Sequence, residues 1–200
     1  MSAVVAYKKN GRVYMAADRL KIRLDLNWLP TSEFNFKIHK LKNGILIGAV
    51  GPLYQVQKLY LNESWFNPPK GVSFDKRFIA TSIIPKYVKV LCDFGALEER
   101  KENSSDYPHV DASFIIVKDE DIFYIDGDFG VFKMDDVAVA ADSDLYDTYT
   151  TLCDITDDTD PEAYLERIFR LAADTLHDTS PEIVLIDTVN TEFRLLGGKK

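Results

Sequence analysis

Residues near the start of the chain have the types that nucleophilic catalysis by a terminal residue requires. Removal of Met1, which a residue as small as Ser2 permits, would leave Ser2 with a hydroxyl and an α-amine, and the ordinary pKa of such an amine is about 7.7–8.0. The ammonium of Lys37 would lower that pKa, so that the amine could accept the hydroxyl proton, and Asp18 would hold the ammonium in place. The N–H of Gly51 would stabilise the oxyanion. We therefore expect Ser2 to act as a nucleophile that its own α-amine activates.

These residues need a fold that brings separate segments together. Residues 2–7 are rich in β-branched side chains and predict a strand, and residues 8–11 (KKNG) predict a hairpin turn. Residues 13–17 predict the return strand, which ends at Asp18, and residues 19–33 predict a loop.

The next segments would place Lys37 and Gly51. The alternating pattern of "FNFKIHKL" predicts a strand with Lys37 on the face opposite Phe36 and Ile38. A turn at residues 42–44 leads into the buried strand "ILIGAVG", which ends at Gly51.

A helix is predicted after this buried strand, with Pro52 in its first turn and Leu53 and Val56 at helical spacing. Leu59 and Tyr60 continue that spacing, and together with Tyr54 they would form either an interface or part of the core.

The remaining elements complete an alternating order of strands and helices. The patterns predict a helical region over residues 74–99 that bends or breaks at Pro85, then two strands within "SFIIVKDEDIFYIDGDFGVF" and a short strand "VAVAAD". Two helices and a terminal hairpin follow. We expect one α+β domain over residues 1–200, a four-layer α-β-β-α sandwich of two antiparallel sheets.

The composition excludes several functional classes. The 200 residues carry a formal net charge of -8, which argues against a nucleic-acid partner because phosphate binding needs clustered Lys and Arg. No stretch approaches the roughly 18 apolar residues of a membrane span, and no signal peptide is recognisable, so we expect a cytoplasmic protein.

The residues that commonly bind metals are isolated in the sequence. His39, His109 and His177 share no ligand spacing, and Cys92 and Cys153 lack a CxxC arrangement. The acidic hairpin "DEDIFYIDGD" does not follow the calcium-loop pattern. We therefore expect neither a metal nor an organic cofactor.

The chain resembles the N-terminal nucleophile (Ntn) hydrolases, in particular proteasome β-subunits and the bacterial proteasome-like peptidase. The resemblance rests on "SAVVAYKKNGRVYMAAD", on "FKIHKL" with Lys37, and on "GILIGAVG" with the glycine of the oxyanion hole at Gly51. The central hairpin is also similar, and the late segment "RLAADTLHDTS" implies supporting roles for Asp178 and Ser180. The resemblance implies a peptidase of the N-terminal serine or threonine type.

The sequence departs from the family's pattern at several positions. The nucleophile would be Ser2 where peptidases of this family usually have Thr, and Ala140-Ala141-Asp142 stands where the family has Gly-Ser-Gly. Two alternatives therefore stay open: a catalytically inactive shell or scaffold subunit, and a small-molecule amidase of the same fold.

The resemblance also implies partners. A member of this family would assemble into a homo-oligomeric ring, act on peptides or unfolded proteins, and receive substrates from a ring ATPase. Neither a nucleic acid nor a membrane is expected as a partner.

Overall fold

The computed structural model describes residues 3–19, 37–95, 97, 109–156, 160–176, 180–190 and 192–197. Within these ranges the chain forms two antiparallel sheets of five strands each, with four longer helical segments and a short 3-10 helix (Glu63–Phe66). The strands are β1 (Ala3–Lys9), β2 (Arg12–Asp18), β3 (Ile38–Lys40), β4 (Leu46–Val50), β5 (Ser113–Lys118), β6 (Asp121–Ile125), β7 (Val131–Met134), β8 (Val137–Ala141), β9 (Ile183–Asp187) and β10 (Arg194–Leu196). The helices are α1 (Leu53–Tyr60), a segment made of α2 (Lys76–Phe78), a π-helical turn (Ile79–Ile83) and α3 (Ile84–Asp93), then α4 (Ser143–Ile155) and α5 (Pro161–Thr175).

The first sheet has the strand order β10-β9-β2-β1-β8, and β1 therefore lies between β2 and β8. The predicted hairpin between β1 and β2 is confirmed, with Val4 opposite Ala17. Its turn residues Asn10 and Gly11 have φ angles of 53° and 70°. Two successive positive φ angles define the turn type whose twist matches that of the flanking strands, and Asn-Gly adopts them readily.

The second sheet has the order β3-β4-β5-β6-β7. All five residues of β4 are buried, as expected for a strand covered on both faces. The predicted strand before it is described only from Ile38, since residues 34–36 lie outside the described ranges, as do the predicted loop residues 20–33. The turn between the two strands contains Gly44 with a φ of 83°.

Apolar side chains fill three layers between and around the sheets. The cluster between the sheets includes Val4, Met15 and Ile115. A second cluster packs α1 and α3 on the second sheet, and a third packs α4 and α5 on the first sheet. The expected four-layer α-β-β-α sandwich is therefore confirmed.

Gly48 in β4 allows the two sheets to approach each other closely. A Cβ atom at this position would lie 2.5 Å from Cγ1 of Val4 and 3.0 Å from Sδ of Met15. Since real Cβ atoms do not approach other carbons so closely, any larger residue would push the sheets apart. Gly48 thus sets the spacing between the first and second sheets.

The helical region around Pro85 contains an irregular turn. The chain does not break there; a π-helical turn precedes α3, and Pro85 lies in the first turn of α3. A wider turn accommodates a residue that cannot donate the regular helical hydrogen bond. The helix ends at Asp93, before the predicted end at Glu99, and Gly95 has the left-handed φ of 63° that often follows a helix.

The boundaries and faces of α1 also require correction. Pro52 is the N-cap residue instead of a residue of the first turn, with an extended ψ of 128°. Leu59 and Tyr60 are buried in the core, whereas Leu53 and Tyr54 are 40% and 54% exposed. Only Tyr54 of the three predicted interface residues is therefore accessible.

Strand β7 was not predicted. Val131 is buried and the next two residues are exposed, so the strand lacks the strict alternation of a half-buried strand. Among the described strands it lies at the sheet edge and pairs only with β6, which is the setting in which short, weakly patterned strands occur. In the described ranges, no helix has the length and apolar character needed to cross a bilayer.

Candidate active site

Asp18 is the last residue of β2, and its side chain is completely buried. Its Oδ1 accepts a hydrogen bond of 2.8 Å from the backbone N of Ala3. This amide belongs to the peptide bond that joins residues 2 and 3. Asp18 therefore fixes the backbone immediately after the predicted nucleophile.

Lys37 brings a positive charge from the second sheet to Asp18. Its Nζ lies 2.6 Å from Oδ2 of Asp18, and its side chain is only 13% exposed. The carbonyl of Lys37 accepts a 2.8 Å hydrogen bond from the N–H of Ala49, which attaches the segment to β4. The two oxygens of Asp18 thus contact Lys37 and the amide of Ala3, as the predicted roles of Asp18 and Lys37 require.

Gly51 follows β4 and has a φ of 132°. A Cβ at this position would lie 2.4 Å from the carbonyl oxygen of Asp111 and 2.7 Å from Cα of Ala112. A side chain is therefore excluded by the backbone of the neighbouring segment as well as by the φ angle. Gly51 lies two residues beyond Ala49, so it belongs to the same end of the second sheet as Lys37.

Ser180 lies before β9 and near the Asp18 end of the first sheet, because Ile183 pairs with Asp18. Its Oγ accepts a 3.1 Å hydrogen bond from the N–H of Glu182. The same glutamate binds Arg19 through its carboxylate at 3.1 Å. In this structure the Ser180 hydroxyl stabilises the turn that leads into β9.

Several solved structures share this architecture at low sequence identity. The BPH protein of Thiobacillus denitrificans in complex with epoxomicin has a TM-score of 0.67 and 13% identity, covering 95% of this chain and 100% of that chain. HslV from Trypanosoma brucei has a TM-score of 0.62 and 16% identity, covering 92% and 98%. The Gly-1 mutant of Anbu from Hyphomicrobium sp. strain MC1 has a TM-score of 0.70 and 12% identity, covering 100% and 88%.

The chain has the proteasome-like fold of the Ntn hydrolases. No protein-family model and no curated protein matches the sequence. At such low identities the likeness to solved structures establishes the fold alone.

Two of the predicted site residues in this proteasome-like fold, Ser2 and Asp178, lie outside the described residues. Of the others, Asp18 ends β2, Lys37 directly precedes β3, and Gly51 directly follows β4. The direct contact among them is the ion pair of Asp18 and Lys37.

Sequence reasoning missed Tyr149, which the proteasome-like fold places near Asp18. Its hydroxyl is buried and has no hydrogen-bond partner in the described part of the chain. Burial raises the pKa of Tyr149 strongly, and the negative charge of Asp18 raises it further. The signal for burial was the spacing of Leu145, Tyr149 and Cys153 on α4, but nothing in that pattern points to Asp18.

A pocket of about 490 Å³ was also missed. Its lining includes Val50, which precedes Gly51, and Ala141, which pairs with Ala3. The pocket therefore adjoins residues that neighbour both the predicted nucleophile and the predicted oxyanion donor. Within the described ranges, no group of three or more His, Cys, Asp or Glu side chains could hold a metal ion.

Proposed function

We propose that this protein is an N-terminal nucleophile hydrolase that cleaves peptide bonds with Ser2 after removal of Met1. The observation that carries the proposal is the bridging position of Asp18, which contacts both the Lys37 ammonium and the amide that follows residue 2. Asp18 thus links the positive charge of Lys37, which the proposed reaction uses to lower the pKa of the Ser2 amine, to the backbone next to Ser2.

The proposed reaction begins with the free α-amine of Ser2, which accepts the proton of its own hydroxyl directly or through a water. The positive charge of Lys37 lowers the pKa of this amine, and Asp18 keeps Lys37 in position. The Ser2 oxygen attacks the peptide carbonyl, and the Gly51 N–H stabilises the tetrahedral oxyanion. The amine portion of the substrate leaves with a proton, and water then hydrolyses the ester. Asp178 and Ser180 would support this site.

The location of the ion pair supports a functional role. A buried pair pays a desolvation cost, and apolar side chains of similar volume stabilise a sheet interface as well or better. Here the pair of Asp18 and Lys37 joins an otherwise apolar interface that contains Val4, Val50 and Ile115. Catalysis by residue 2 gives a physical reason for a buried charge at this position.

The likeness to proteasome-type peptidases supports a peptide substrate and an oligomeric assembly. Anbu is described as an ancestral β-subunit, and BPH is solved with epoxomicin bound. We extend three properties to this chain as proposals: a homo-oligomeric ring, peptide or unfolded-protein substrates, and delivery by a ring ATPase in the cytoplasm.

An intact-mass measurement on the untagged protein, before and after incubation with epoxomicin, tests the nucleophile. The ketone of this probe accepts the hydroxyl oxygen and its epoxide accepts the amine nitrogen, so a free N-terminal serine adds the probe without loss of any group. We expect loss of Met1 and one adduct per chain. The variant Ser2→Ala retains the small residue that permits Met1 removal and should form no adduct, whereas Ser2→Thr should form it.

The same experiment separates the alternatives. A retained Met1 and no adduct would contradict the proposal and would favour a shell or scaffold subunit, which Ala141, at the position occupied by serine in the family's pattern, also suits. An adduct without cleavage of a diverse peptide mixture would favour a small-molecule amidase.

A further inference from the structure

The pocket beside the candidate active site lies between the ends of the two sheets. Val50 at the end of β4 and Ser113 at the start of β5 form one side, and Ala141 at the end of β8 forms the other. Val50 precedes Gly51 in the chain and Ala141 pairs with Ala3, so the pocket lies next to residues that flank the site of the proposed reaction.

The far wall of the pocket is held in place by the backbone. The N–H of Val110 donates a 2.9 Å hydrogen bond to the carbonyl of Gly127. A Cβ on Gly127 would lie 2.5 Å from the carbonyl oxygen of Val110 and 2.6 Å from the ring of His109. The His109 ring in turn contacts Asp128, with 2.9 Å between Nδ1 and Oδ1. The wall is therefore preformed.

The lining combines aromatic faces with negative charge. The Tyr124 and Tyr146 rings lie 6.5 Å apart between their centroids, at 34° to each other. Asp111 and Asp142 place two carboxylates on the same lining, which contains neither Lys nor Arg. The lining also contains the imidazole of His109, whose Nε2 lies 3.7 Å from Oδ1 of Asp111.

We infer that this pocket selects a lysine or arginine side chain next to the scissile bond of the substrate. The inference rests on the proposed function for its setting, since it names the substrate class of that site. The methylene stem of a long basic side chain packs on Tyr124 and Tyr146, and the cation reaches the carboxylates of Asp111 and Asp142. An acidic side chain is repelled by the same two carboxylates.

A binding measurement that needs no catalysis tests the pocket. Fluorescently labelled hexapeptides that differ at one position, with Lys, its uncharged analogue norleucine, or Glu, are titrated against the full-length Ser2→Ala protein. Since norleucine has the same apolar stem, the two solvent-exposed ion pairs predict that the Lys peptide binds roughly two- to tenfold more tightly than the norleucine peptide. The Glu peptide should bind more weakly than either of the other two.

A matched pair of variants locates the preference. In the Ser2→Ala background, Asp111→Asn should reduce the Lys-to-norleucine ratio by about two- to fivefold. Asp147→Asn changes the net charge equally on the exposed surface of α4, outside the pocket lining, and should leave the ratio unchanged. Equal binding of the three peptides, or an equal effect of the two variants, would overturn the inference.

Cleavage by the active protein then separates the two proposals. Efficient cleavage without a preference for Lys or Arg on either side of the cut bond would overturn the pocket inference and leave the nucleophile proposal intact. Selective binding of the Lys peptide by the Ser2→Ala protein, together with absence of the epoxomicin adduct in the wild type, would support the pocket and refute catalysis by Ser2.

Discussion

The ion pair between the two sheets gives the most informative perturbation. Lys37→Met removes the charge but retains a side chain of similar length, and it leaves the completely buried Asp18 carboxylate without its cation. Loss of one partner of a buried pair costs about 3–5 kcal/mol, because the remaining charge stays desolvated. A shift of about 2–4 °C in Tm per kcal/mol for a chain of this size predicts a fall in Tm of roughly 6–20 °C.

A second substitution should reverse most of this loss. In the double variant Asp18→Asn/Lys37→Met, the carboxamide oxygen of Asn can still accept the hydrogen bond from Ala3, and no buried charge remains. We expect the double variant to regain most of the lost free energy of unfolding, measured by urea denaturation at one fixed protein concentration. It should still fail to form the epoxomicin adduct, since the charge that acts on the Ser2 amine is absent.

This design separates stability from chemistry. If Lys37→Met lowers the free energy of unfolding by less than about 1 kcal/mol, the charge of Asp18 is not desolvated as the structure indicates. If the stable double variant forms the adduct at the wild-type rate, the pair serves the sheet interface and takes no part in activating Ser2.

Three further outcomes test other parts of the structure. The hydroxyl of Tyr149 has no partner among the described residues, so Tyr149→Phe should change the free energy of unfolding by less than about 1 kcal/mol or raise it; a larger loss in urea denaturation would reveal a partner. Gly48→Ala should destabilise the protein by about 1–3 kcal/mol, because its methyl group would collide with Val4; an unchanged Tm would contradict the close approach of the sheets. Burial acts to raise the pKa of Asp187, but hydrogen bonds from Arg12 and two backbone amides outweigh it and lower the pKa from its ordinary value. The stability from Asp187 is therefore present above the unfolded-state pKa of about 4 and is lost as pH falls further. The free energy of unfolding, measured by urea denaturation at several pH values below about 4, should fall less steeply with falling pH in Asp187→Asn than in the wild type. An equal slope in the two proteins would refute this.

Local turn chemistry explains why much of the fold could be predicted. Asn10 and Gly11 encode the first hairpin in two residues, and Pro161 begins α5, a position where the fixed φ of proline favours the start of a helix. These features need only neighbours in sequence, and the continuous apolar run before Gly51 adds the buried strand β4. The element order then limits the arrangement of layers to few choices.

Long-range contacts explain what could not be predicted. The pocket forms from segments around Val50, Asp111 and Asp142, which meet only after both sheets have formed. The spacing of apolar residues on α4 indicates only that Tyr149 is a core residue. Its proximity to Asp18 depends on how α4 packs on the first sheet. Periodicity identifies which side chains are buried but not the polar groups that they approach.

The candidate site residues differ in how strongly each indicates function. Gly51 must be glycine because the backbone of Asp111 and Ala112 leaves no room for a Cβ, and the Ser180 hydroxyl stabilises a turn, so both are explained by the fold alone. Asp18 also accepts the N–H of Ala3, but an uncharged asparagine could accept the same bond, so the fold gives no reason for the buried charges of Asp18 and Lys37. The functional argument therefore depends on this pair. For that reason the variants Lys37→Met and Asp18→Asn/Lys37→Met test the mechanism more sharply than a substitution of Gly51 would.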